Sequence, residues 1–214
     1  MPKLNGICAI IVLSLAGGAI SLPGNTIQKS LSALWPESTK PSCRIENNGV
    51  PNFGKLNQYI WRSGQPTRKG YSMLADEGLK TVVNLRAEYP QDRDSLPSGI
   101  NYISIPIKDM HAPTLNQAYQ FLNIVSDGQN WPILIHCHAG EGRTGVMSAL
   151  IRYSFDGWNH DSIQTEIRNF RTKRFWFLTF APPMMPSQTR FLLNWEKNNP
   201  PGGYLIDNND NQPK

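Results

Sequence analysis

A chain of 214 residues with a formal net charge of +5 is long enough for one domain with a substantial core and too short for two ordinary ones, and no internal repeat divides it. The positive excess fits an anionic substrate or surface. It does not select nucleic acid, because no stripe of Lys and Arg runs along any one predicted element.

At the N-terminus, Lys3 precedes the apolar run 7–16, and small residues follow through Ala19. Residues 1–22 therefore read as an export signal. Ser14-Leu15-Ala16, Gly17-Gly18-Ala19 and Ala19-Ile20-Ser21 each satisfy the small-x-small cleavage rule. The apolar span from Gly6 to Leu22 also just reaches the ~17 residues needed to cross a bilayer, so a retained anchor is the alternative. A buried N-terminal helix is the plainer third reading. In a bacterium the first two place the domain in the periplasm, free or anchored to the inner membrane.

Residues 23–50 are polar, interrupted by Pro36 and Pro41, and lack sustained periodicity, which predicts a linker or loosely packed arm. The Asn-, Pro- and Gly-rich residues 199–214 predict a disordered tail. The domain is then 51–198.

Within it, an extended stretch at 58–62 precedes a helix over 67–77, with Gly78 placed to cap its end. A short apolar strand follows at 80–86. Another spans 101–107, where Ile103, Ile105 and Ile107 alternate at the strand period. Leu115, Ala118, Tyr119, Leu122 and Val125 fall at helical spacing and predict a helix over 114–127. Residues 132–136 are apolar except at the end, as in a strand covered on both faces. Val146, Ala149, Leu150 and Tyr153 mark a helix ending near Gly157, and two more helices are expected over 161–170 and 187–197. Such alternation predicts an α/β domain with a mainly parallel central sheet and helices on both faces, whose site lies beyond the carboxyl ends of the strands.

The sequence IHCHAGEGRTG, residues 135–145, lies in that position. Two chemistries could use it. A metal site needs converging ligands, yet His136 and His138 flank Cys137 and would diverge, and only His111 and His160 remain elsewhere. No Cys-x-x-Cys or His-x-x-x-His spacing completes a tetrahedral site, so neither a metal nor another cofactor is implied. The phosphate reading uses more residues. Gly140 and Gly142 let successive N–H groups turn inward as an anion nest at a helix N-terminus. Arg143 offers a planar fork of donors to two phosphate oxygens. Donors that attract phosphate also favour a thiolate, so Cys137 at the base of the nest would be a nucleophile.

This Cys-x5-Arg segment closely resembles the signature of cysteine-dependent protein tyrosine and dual-specificity phosphatases. Tyr59-Ile60-Trp61-Arg62-Ser63-Gly64-Gln65-Pro66 and Leu79-Lys80-Thr81-Val82-Val83-Asn84-Leu85-Arg86 look like the opening of the compact bacterial and plant members, exported bacterial ones above all. The resemblance implies in-line attack by Cys137 and a phosphocysteine intermediate that water hydrolyses. It implies that Arg143 and the amides of His138, Ala139, Gly140, Glu141, Gly142 and Arg143 stabilise the equatorial oxygens. Thr144 matches the hydroxyl that supports the departing sulfur, and His136 the residue that holds the loop and thiolate from behind.

The proton for the leaving oxygen is assigned to Asp109, which follows an apolar strand one helix upstream of the nucleophile. A helix-capping or solvated aspartate is the competing reading there. His111 is a weaker substitute, and Asp92 and Asp94 read as solvated charges.

The substrate is a phosphorylated protein or a phosphorylated inositol or lipid, since the loop also resembles that of tensin-type phosphoinositide phosphatases. Glu141 and the absence of a fixed cation before Arg143 favour phosphotyrosine, with phosphoserine and phosphothreonine as further candidates. The basic-aromatic stretch 168–177 reads either as a patch steering acidic ligands or as helix-end cations and core aromatics. A catalytically idle phosphate-binding module is the alternative class. Cys43 and Cys137, left after removal of the signal, could pair or remain separate thiols in an oxidising compartment.

Overall fold

The computed structural model describes residues 35–36, 38–89, 92–171 and 184–203. The proposed signal or anchor, residues 204–214 of the tail and residues 172–177 of the basic-aromatic stretch lie outside them. Among the described residues no helix is long and apolar enough to cross a membrane.

Five strands, β1 Gly54–Lys55, β2 Ile60–Ser63, β3 Thr81–Arg86, β4 Asn101–Ile107 and β5 Ile133–His136, form one sheet in the order β1-β2-β5-β3-β4. All neighbours are parallel except the β1–β2 edge pair. The helices are α1 Arg68–Asp76, α2 Leu115–Ser126, α3 Gly142–Ser154, α4 His160–Asn169 and α5 Pro186–Asn198. The expected α/β architecture is thus the observed one.

Side chains alternate across the sheet at the strand period. Trp61, Val82 and Leu134 point to a face covered by Tyr71 and Leu74 of α1. Ile60, Val83, Leu85, Ile133 and Ile135 point to the opposite face, covered by α2 to α5. Each fully buried aliphatic side chain contributes on the order of 2 kcal/mol. The helix starts are fixed locally. The Thr67 hydroxyl accepts from Gly70 N at 3.1 Å, and Thr114 with Gln117 makes a reciprocal capping box. Thr114 therefore caps α2 without help from Asp109.

Two segments differ from expectation. The described part of the supposed linker packs on the domain: Trp35 is 5 % exposed and stacks on Phe155, Ile45 pairs with Phe53, and Val50 is buried. Isolated anchors without periodicity do this, each burying a large area or a short backbone bridge. Beyond α5, residues 199–203 also fold back. The Tyr153 hydroxyl donates to Asn199 O at 2.9 Å, and Gly202 N donates to Tyr153 O at 2.9 Å.

Parallel pairing sets Ser63 beside His136 and Asn84 beside His136. The ends of β2, β3 and β5 thus converge on the turn into α3, where the signature lies.

Candidate active site

The turn carries Cys137 at 3 % exposure, with Gly140 N donating to its Sγ at 3.3 Å. Three consecutive carbonyls of the turn are held from behind. His138 O accepts from Gln65 N at 2.9 Å, Ala139 O from Asn52 Nδ2 at 3.1 Å, and Gly140 O from Arg62 Nη2 at 2.8 Å. In a trans peptide the N–H opposes the C=O, so pulling carbonyls back aims amides forward. The amides of His138, Ala139, Gly142 and Arg143 have no acceptor among the described residues. Amides left without an acceptor on such a turn suit the anion nest that the sequence predicts.

Close backbone approach makes this curvature possible. Gly140 has φ +73°, and a Cβ there would lie 2.5 Å from Gly64 N. A Cβ on Gly64 would lie 2.9 Å from His138 O. Neither position tolerates a side chain.

Arg143, entering α3, is 2 % exposed. Its Nη1 donates to Glu88 Oε2 at 2.7 Å and to Ile107 O at 3.1 Å. Its Nη2 donates to Glu88 Oε1 at 2.9 Å and lies 3.1 Å from Asp109 Oδ1. Three Nη hydrogens are thus hydrogen-bonded, the Asp109 contact is an ion pair, and Nε remains. The bidentate bond from Arg143 holds the Glu88 carboxyl well below the usual carboxylate range, at about 2.

Sequence reasoning missed Glu88. It stands two residues beyond β3, with Arg86 Nε 3.1 Å from Oε1, on a turn whose Tyr89 carbonyl accepts from Asn84 Nδ2 at 2.7 Å. Asn84-Leu85-Arg86 belonged to the stretch that carried the resemblance, and its extension by two residues was the available signal.

Behind the sulfur, Tyr71 Oη lies 3.1 Å from His136 Nε2, and His136 Nδ1 lies 3.4 Å from Cys137 O. Burial drives the imidazole down to about 3, so it is neutral. Since Nδ1 faces a carbonyl, the network assigns the proton there and makes Nε2 the acceptor of the tyrosine hydroxyl. Gln65 Nε2 donates to Tyr71 Oη at 3.0 Å, and Arg86 Nη1 donates to Gln65 Oε1 at 2.9 Å. The donors run in one direction from Arg86 to the carbonyl of Cys137, and Arg86 also touches Glu88.

Asp109 is exposed on the loop after β4, and the loop is fastened at several points. Met110 adopts φ +63°, the Ser187 hydroxyl donates to Met110 O at 3.3 Å, and Gln188 Nε2 donates to His111 O at 3.1 Å. His111 Nδ1 turns back to Asp109 O at 2.8 Å. The structure thus brings Cys137, Arg143 and Asp109 together. It places the Thr144 hydroxyl 3.4 Å from Ser63 O, Glu141 at the N-cap of α3, and His138 at the surface. Cys43 and Cys137 are not joined in a disulfide. Among the described residues no group of three or more His, Cys, Asp or Glu side chains is placed to hold a metal ion.

A turn with a cysteine at its base and an arginine fork at its rim, between a parallel strand and a helix, defines a cysteine-based phosphatase of the protein tyrosine and dual-specificity class. The chain belongs to the family described as DSP-PTPase phosphatase fused to NAD+ kinase, whose model matches residues 46–176, more than half of it. It is 31 % identical over 153 residues to the Meyerozyma guilliermondii protein named "Putative tyrosine-protein phosphatase OCA1", covering 63 % of this chain and 78 % of that protein. Its fold resembles that of P. aeruginosa TpbA, a cysteine-to-serine form in complex with pTyr, with TM-score 0.62 and 18 % identity over 81 % of this chain and 99 % of that one. It also resembles the core catalytic domain of the S. cerevisiae PP-IP phosphatase Siw14 in complex with citrate, with TM-score 0.57 and 28 % identity over 69 % of this chain and 87 % of that one.

Proposed function

We propose that this phosphatase hydrolyses phosphotyrosine on proteins through a phosphocysteine intermediate, with Cys137 as nucleophile, Arg143 as phosphate clamp and Asp109 as acid. The arriving phosphate takes Arg143 Nε and the Nη2 hydrogen that now faces Asp109, while Glu88 and Ile107 O keep the rest of the fork in place. Asp109, released from Arg143, takes up a proton from solvent and stands beside the ester oxygen as the acid. Cys137 Sγ attacks phosphorus, the bond to the ester oxygen breaks, and Asp109 gives that oxygen its proton. Asp109, now a carboxylate, takes a proton from the water that attacks the phosphocysteine. Inorganic phosphate leaves, and the thiolate returns. The inward amides and Arg143 stabilise the equatorial oxygens throughout.

One observation carries the choice of substrate. Tyr89 and Met110 are 62 % and 58 % exposed, and each directly follows a carboxylate that touches Arg143. Exposed large apolar side chains at those two places suit the ring of a phosphotyrosine, whereas a polyphosphorylated inositol would meet the carboxylates of Glu88 and Asp109 with Glu141 in the loop. The second reading, an inositol pyrophosphate, is supported by the likeness to the PP-IP phosphatase. Turnover of a phosphotyrosine peptide and of inositol pyrophosphate should be compared under the same conditions. A kcat/KM at least tenfold higher for the peptide is expected, and the reverse ranking overturns the choice.

Export of the domain, by a cleaved signal or a retained anchor, belongs to the same proposal and is supported by the residue pattern of 1–22 alone.

A further inference from the structure

Behind the nest lies a second guanidinium that the reaction outlined above does not use. Arg62, near the end of β2, is 1 % exposed. Its Nη2 holds Gly140 O at 2.8 Å, and its guanidinium carbon lies 3.8 Å from the centroid of the Phe170 ring. Its Nε and Nη1 are buried without a hydrogen-bond partner among the described residues. Burying a cation with donors unpaired opposes folding, and an apolar side chain of similar volume would fill the space at less cost. A role in packing therefore does not account for an arginine here.

Neutralisation of a neighbouring acid does not account for it either. The acid whose charge acts on Arg62 most is Glu166. Its Oε2 is already taken by Arg152 Nε at 3.0 Å, Arg152 Nη2 at 2.7 Å and Ser42 N at 2.8 Å. The next is Cys137. Burial lowers the Arg62 pKa to about 10, which still leaves it charged at neutral pH.

The bond to Gly140 O has a directional consequence. Gly140 O and the amide of Glu141 belong to one peptide plane, and a trans peptide whose oxygen is drawn back presents its N–H forward. Asn52 does the same for the preceding peptide, whose N–H meets Cys137 Sγ. We propose that Arg62 is a positioning residue for the phosphate-binding turn: it holds the Gly140–Glu141 peptide with its amide toward the phosphate and places a positive charge behind Cys137, opposite Arg143. This rests on the reading of Cys137 as the nucleophile.

Arg62→Met and Arg62→Lys in the full chain test it through two readouts. One is the pH dependence of iodoacetamide alkylation, followed at the Cys137 peptide by mass spectrometry with Cys137→Ser as blank. The other is inhibition of aryl phosphate turnover by inorganic phosphate. Arg62→Met should move the alkylation midpoint up by about one pH unit, as loss of a nearby opposite charge does, and weaken phosphate inhibition about tenfold. Arg62→Lys keeps the charge without the fork, so its midpoint should stay near wild type while phosphate inhibition weakens severalfold.

If the methionine variant does not fold, the lysine variant decides. A wild-type phosphate affinity there removes the peptide-orienting role, and a raised midpoint removes the electrostatic one. A folded methionine variant with both quantities unchanged overturns the inference outright. Failure of the underlying reading looks different: the wild-type chain would then not turn over aryl phosphate, or phosphate would not protect Cys137 from alkylation.

Discussion

The turn that holds Cys137 has an arginine on each side, and the two are treated in opposite ways. Arg143, at the mouth, has its Nη donors matched by two carboxylates and a carbonyl. The side chains of those acids are 40 % and 72 % exposed. Arg62, behind, makes one side-chain hydrogen bond, and its buried Nε and Nη1 have no partner among the described residues. An exposed acid can give up its cation to an incoming phosphate because water solvates it at once. A buried partner could not. On the proposed function, the mouth is suited to exchange and the back to fixed geometry.

The largest test of that contrast is Asp109→Asn. Loss of the acid should lower kcat on phosphotyrosine by roughly 10²-fold or more, and on 4-nitrophenyl phosphate far less, because nitrophenolate leaves without a proton. Equal small losses on both substrates would remove Asp109 from the reaction.

A smaller effect is expected for Glu88→Gln. The amide cannot accept both Nη bonds, so the fork loses its fixed orientation and kcat/KM should fall about tenfold, equivalent to about 1.4 kcal/mol. Faster turnover would mean instead that Glu88 blocks the fork and that the mouth is closed, not poised.

The smallest effect is on stability against pH. His136 has a folded-state pKa near 3, lowered by burial, so the unfolded chain takes up the extra proton as pH falls below about 6.5. Its contribution is complete above that value and is lost progressively toward 3. Glu88 acts lower, between its ordinary 4.5 and about 2. The melting temperature should therefore decline between pH 6.5 and 4.5 in the wild type and decline less in His136→Asn. An identical slope in the two would place the titration elsewhere.

The central strands and the main helices were legible because each advertises itself locally, by a run such as Ile133-Leu134-Ile135 or a cap such as Thr114 with Gln117. The signature was legible for the same reason, since cysteine, glycines and arginine fall within seven consecutive residues. What escaped was supplied from a distance. Glu88 lies 55 positions before Arg143, Asn52 lies 87 before Ala139, and a single Glu or Asn in a turn carries no pattern. Arg62 stood inside the stretch that carried the resemblance, yet only the fold shows that it reaches Gly140. The arm was misread because one tryptophan, Trp35, anchors a segment whose composition is otherwise that of a linker.

The contact between Gly64 and the 138–140 turn has a consequence for how the chain becomes active. The half of the nest that orients the carbonyls and the half that carries the sulfur are separated by more than seventy residues and meet only when β2 lies against β5. Contacts of such sequence separation close late, after the local helices have formed. A partly folded chain can thus hold every residue of the signature in order and still lack a phosphate site, so catalytic activity reports completion of the sheet.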